Sequence, residues 1–167
     1  MPRVVSNASP LIHLAKIGRL NLLQEFHQQV LVPPAVWREV VELGQTYPET
    51  PLIEHGFQQG WLQQKSVSDS RLVSLLKLQL DEGESEAITL AIQERAEVVL
   101  LDDSLARLVA RRLGLQVTGV VGVLIRAKRE AKIISLRQEL ERLRYEGGFW
   151  LSEHLVQRAL QAVGESD

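Results

Sequence analysis

Apolar residues fall in short continuous runs separated by segments of helical period. Arg3–Ser6 predicts a first strand and Val30–Val32 a second. Trp61–Lys65, Val98–Leu101 and Leu115–Val117 predict three more. Val98–Leu101 has the unbroken apolar character of a strand buried on both faces of a parallel sheet. Between these runs the spacing predicts helices. Ser9 is placed to cap one, with Pro10 at its first position and Gly18 at its end. Leu20, Leu22, Leu23 and Phe26 predict a second, and Pro34 opens a third that Gly44 closes.

Residues 44–51 read as a loop, 52–59 as a short helix and 70–80 as a longer one. Gly83 interrupts, and Glu84–Glu94 restarts with Ala87, Ile88, Leu90, Ala91 and Ile92 apolar. Helices follow over 104–113, 119–131 and 135–145, and Ser152 caps a last one. Strands alternating with helices predict a parallel sheet covered on both faces. Functional groups in such sheets gather at the C-terminal strand ends. Asn7 after the first strand and Asp102 after the fourth belong to that edge.

With 167 residues, a single domain over 1–167 with a sizeable core is expected. Hydrophobic residues at 45% and charged residues at 24% exclude disordered, collagenous and coiled-coil classes. Without cysteine there is no disulfide, thiolate metal site or cysteine nucleophile. Apolar runs such as Val30–Val32 are far below the roughly 20 residues of a membrane span. The first residues lack the charged start and apolar core of a secretory signal, so a cytoplasmic protein is expected.

The net charge of −2 hides a division. Residues 81–103 carry eight acids and one base; residues 107–144 carry ten bases and three acids. Solvated helix faces account for many of these charges. A carboxylate cluster for a divalent ion, beside a phosphate-binding surface, is the sharper reading. Glu39, Glu84, Glu86, Asp102 and Asp103 lie on separate elements that one sheet edge can gather. Each also has a structural role open to it: Glu84 and Glu86 complement a helix dipole, and Asp102 or Asp103 caps a helix. His13, His27, His55 and His154 show no metal-ligand spacing. Phosphate loops and nucleophile elbows do not occur.

Four segments resemble the PIN-domain family, in particular the bacterial and archaeal branch related to VapC toxins. They are Val4–Ile12, Val32–Val40, Asp81–Ile88 and Leu100–Arg107, and the likeness continues through Arg126–Lys128. The resemblance implies a three-layer α/β/α fold with a central, mostly parallel sheet. It also implies a Mg2+- or Mn2+-dependent endoribonuclease site of three or four acids. Carried over by position, the acids are Glu39, Glu86 and Asp102, with Glu84 and Asp103 as alternative ligands. The family's first acid is usually Asp; here it is Asn7, which offers a neutral oxygen and no charge. Ser9 matches a small hydroxyl position that the family often has near the site.

Arg107, Arg111, Arg112, Arg126, Lys128 and Arg129 are the candidate RNA contacts. RNA, an antitoxin protein and a second copy are the implied partners, with the cluster Phe149–Leu151 as a candidate dimer contact. Two functions follow: a metal-dependent endoribonuclease weakened by Asn7, or an inactive PIN-like module that binds RNA or protein.

Overall fold

Five short strands form the centre of the structure, a computed structural model that describes residues 2–165. They are β1 (Val4–Ser6), β2 (Val30–Val32), β3 (Leu62–Gln64), β4 (Val98–Leu100) and β5 (Val117–Thr118). All neighbours are parallel, in the order β3-β2-β1-β4-β5.

The helices are α1 (Ala8–Lys16), α2 (Asn21–His27), α3 (Pro34–Trp37), α4 (Thr50–Gln59) and α5 (Ser70–Leu76). They continue as α6 (Glu82–Gln93), α7 (Ser104–Arg112), α8 (Val120–Arg129), α9 (Leu136–Tyr145) and α10 (Glu153–Ala162). A π-helical turn, Arg38–Glu42, extends α3.

Side chains alternate across a strand, so neighbouring residues feed opposite layers. Val4, Val30, Val32 and Leu100 pack with apolar residues of α1, α2, α8, α9 and α10. Val5, Leu31, Val99 and Leu101 face Leu90 of α6 and Ala106 and Ala110 of α7. The result is a three-layer α/β/α sandwich. Among the described residues no helix is long and apolar enough to cross a membrane.

From β1 the chain moves outward to β2 and β3. It then returns through α5 and α6 to β4 on the other side of β1. The strand order therefore reverses between β1 and β4, which opens a crevice at their C-terminal ends. The Asn7 N–H donates to Leu100 O at 3.0 Å and ties those two ends together.

Several boundaries differ from the sequence pattern. Asn7, not Ser9, occupies the N-cap position of α1, with extended backbone. Pro10 then falls in the first turn, where a missing N–H costs no helical bond. The expected helix over 70–80 stops at Leu76, and the chain turns through Lys77–Leu80. Asp81 and Glu84 then form a reciprocal capping box that starts α6. The expected loop 44–51 yields its last two residues to α4, and the last strand sits at Val117–Thr118.

Candidate active site at the switch point

Asn7 sits where β1 ends, and its side chain turns toward the start of α6. Gly83, in the first turn of α6, marks the meeting point. A Cβ on Gly83 would lie 3.2 Å from Asn7 Oδ1, 3.7 Å from Asp81 Oδ1 and 3.7 Å from Glu39 Oε1. Three oxygens from three separate elements therefore surround one small space. The π-helical turn after α3 supplies Glu39. Such turns are frequent at functional sites.

Glu84 extends this cluster. Its N–H donates to Asp81 Oδ1 at 2.7 Å, and the Asp81 N–H donates back to Glu84 Oε1 at 3.1 Å. Burial pushes the Glu84 carboxyl up to about 7. The Asp81 N–H opposes that push, while the charges of Asp81 and Asp103 add to it. Burial, then the charge of Asp81, also raises Glu39. The acids of this cluster repel one another, as carboxylates sharing a site do.

Asp102 follows β4 on the other side of the crevice. Ser9 Oγ donates to its Oδ2 at 2.7 Å, and the Val120 N–H, at the start of α8, donates to its Oδ1 at 2.8 Å. Gly119 must lack a side chain here, because a Cβ would come within 2.5 Å of Asp102 Oδ1 and 2.8 Å of Arg107 Nη1. Asp103 caps α7, with Ala106 N–H donating to its Oδ2 at 2.9 Å. Ser9 also lies against His13, whose Nδ1 is 3.1 Å from Ser9 Oγ and 2.8 Å from Ser9 O.

Glu86 lies apart from this group. Its Oε1 accepts the Ala35 N–H at 3.0 Å, at the start of α3, and it lines a different depression with Pro34, Ser70 and Lys77. Residues 84 and 86 are about 200° apart around a helix, so one faces the crevice and the other does not. Asp81 and His13, which the structure places beside these residues, were not among the expected site residues. The Asp-x-x-Glu spacing of the capping box was the available signal for Asp81.

The basic residues divide in the same way. Arg107 Nη1 donates to Leu101 O at 2.9 Å beside Asp102. Burial, with the Arg111 charge, lowers its pKa, while Asp102 opposes that. Arg111 and Arg112 are exposed further along α7. Arg126, Lys128 and Arg129 occupy the last turn of α8, whose ten residues span about 15 Å from its start beside Asp102. They are engaged there. Arg126 stacks 4.2 Å over the Phe26 ring and pairs with Glu130, Lys128 donates to Ile134 O, and Arg129 donates to Ala162 O.

The donor set suits a hard divalent cation, because Asn7, Glu39, Asp81 and Asp102 all present oxygen. As the side chains stand, no group of three or more acids or histidines among the described residues is gathered closely enough to hold a metal ion.

Comparison with known proteins agrees with this architecture. A family model described as a PIN domain matches residues 3–165. The chain belongs to the PIN-domain family, whose fold is of a nuclease type. No match is found among curated proteins.

Proposed function

We propose that the chain is a metal-dependent endoribonuclease of the PIN type, held to low activity by Asn7. The observation that carries this reading is the convergence of Asn7 Oδ1, Glu39 Oε1 and Asp81 Oδ1 around Gly83, across the switch-point crevice from Asp102. A bound Mg2+ or Mn2+ supplies activation of water and neutralisation of charge on the phosphodiester. Glu39, Asp81 and Asp102 are the anionic residues that would hold it. Asn7 adds a neutral oxygen, and Glu84 and Asp103 stand nearby.

Ser9 and the Val120 N–H orient Asp102. Arg107, Arg111 and Arg112 form the phosphate-facing side, since α7 starts at this edge. The far end of α8 is a less suitable place for RNA, because its bases already have partners.

The toxin-like branch, an antitoxin, a homodimer and a cytoplasmic setting belong to the same reading. The exposed Leu75, Leu78, Leu105 and Leu108 support a protein partner on α5, the turn that follows it and α7. Trp150 is 83% exposed and Leu151 is buried, so only part of the 149–151 cluster is open to one.

Calorimetry with manganese tests the metal site without reference to activity. Wild type should bind weakly, and Asn7→Asp about tenfold or more tightly, because it restores an anionic ligand. Equal affinities would remove position 7 from the site. A second reading, a non-catalytic module that binds RNA or protein, is favoured by one observation: the neutral amide at position 7.

A further inference from the structure

A cavity of about 380 Å³ opens beside the acidic cluster, with Glu39 in its wall. α1, the π-helical turn, the following loop and α4 enclose it through Ile12, Lys16, Tyr47, Glu49 and Ile53. Its size lies in the range of small-molecule pockets.

Glu49 stands out among these residues. As a residue it is only 7% exposed, while its carboxylate oxygens remain open to solvent and take no hydrogen bond or ion pair from the described residues. A carboxylate in a cavity wall with no protein donor is free to accept hydrogen bonds from a ligand that enters there. Its loop is tied in place: Tyr47 N–H donates to Gly44 O at 2.9 Å, and Thr50 Oγ1 also donates to Gly44 O. Lys16 and Tyr47 are exposed at the rim, and Lys16 has no acidic partner among the described residues.

We infer that this cavity is a base-recognition pocket for guanine in single-stranded RNA, read by the Glu49 carboxylate. An ionised carboxylate is an acceptor only, with two oxygens side by side. Guanine alone among the four RNA bases presents two adjacent donors on its pairing edge, N1–H and the N2 amino group. Adenine and cytosine place an acceptor beside their amino donor, and uracil flanks its single donor with acceptors. Tyr47 at the rim offers a ring for stacking, as single-stranded RNA recognition uses. Lys16 offers a cation for phosphate and offsets the two glutamates. Glu39 is shared between the cavity and the acidic cluster, so a base held here stays beside the acids. In that respect the inference rests on the nuclease reading.

The test is a nuclear magnetic resonance titration of the full chain with guanosine, inosine and adenosine 5′-monophosphates in EDTA. Guanosine monophosphate should give saturable shifts around Lys16, Tyr47 and Glu49. Inosine monophosphate, lacking the N2 amino group, should bind about tenfold more weakly, and adenosine monophosphate weaker still. Glu49→Gln should abolish the preference for guanine. Tyr47→Ala should weaken all three by about tenfold and keep the order.

Equal binding of the three nucleotides, no saturable binding at millimolar concentration, or a retained preference in Glu49→Gln would each overturn the inference. EDTA separates this outcome from that of the nuclease reading. Guanine preference without cleavage in any metal would leave the pocket and remove the nuclease. Cleavage without guanine preference would do the reverse.

Discussion

Ser9 Oγ donates to Asp102 Oδ2 at 2.7 Å, which joins the first turn of α1 to the end of β4 across 93 positions of sequence. This bond and the Val120 N–H give each oxygen of Asp102 a donor. The acid is therefore oriented before anything binds. Preorganised ligands are what an electrostatic site needs.

Ser9→Ala removes one of those donors. The variant should lose about 1 kcal/mol of stability, the usual net worth of one hydrogen bond. Asp102 should also lose its fixed orientation, with weaker manganese binding as the result. Chemical denaturation reads the first effect and calorimetry the second. Unchanged values in both would show that the bond holds nothing in place.

Glu84 makes stability depend on pH in an unusual direction for a carboxyl. Its folded pKa, about 7, lies above the ordinary 4.5. The folded state therefore keeps a proton that the unfolded chain has lost. That contribution is full below about pH 4.5 and fades as pH rises through 7. Glu84→Gln keeps an oxygen for the Asp81 N–H and carries no charge. In EDTA at pH 8 it should be more stable than wild type by about 1 kcal/mol or more, with the gap closing toward pH 5. Thermal unfolding at both pH values measures the gap. A gap that is constant, or widest at pH 5, would count against the crowding of Asp81, Glu84 and Asp103.

Glu94 behaves in the opposite sense. The hydrogen bond from Lys65 holds it below the usual range against the push of burial, and Gln93 and Arg3 help. A depressed folded pKa gives stability that is present above about 4.5 and lost as pH falls through the folded value. Wild type should therefore lose stability below pH 4.5 more steeply than Glu94→Gln. Denaturant midpoints across pH 3–6 would show it, and parallel acid limbs for the two proteins would argue against it.

Much of the fold was legible because each central strand is a short apolar run between helix-period segments. Asn7 and Asp102 were legible as neighbours for the same reason: each follows a strand, and parallel strands share one C-terminal edge. Glu39, Glu84 and Asp103 were named from their positions after strands or at helix starts. Ser9 was harder to read. Pro10 is tolerated anywhere in the first helical turn, so the pattern cannot distinguish Asn7 from Ser9 as the cap. Glu86 came from its position in the family resemblance, with Glu84 as the alternative, and helix geometry turns these two nearly opposite ways.

Asp81 was counted in the acidic block but not as a site residue, because its side chain both caps α6 and faces Asn7, and only the first leaves a local signal. The Arg126–Arg129 cluster was a candidate because residues 107–144 are strongly basic. One helix length separates it from Asp102, and charge counting takes no account of that distance. The open Glu49 carboxylate depends on which side chains fold around it, and nothing local in the sequence records that.

The most direct test of metal-dependent RNA cleavage at the switch point compares three proteins on single-stranded RNA: wild type, Asn7→Asp and Asp102→Asn. Each is assayed with manganese and with EDTA. Wild type should cut slowly with manganese, Asn7→Asp about tenfold or more faster, and Asp102→Asn not at all, with all three silent in EDTA. Cleavage by Asp102→Asn at the wild-type rate, or no cleavage by either wild type or Asn7→Asp on varied RNAs, would contradict it.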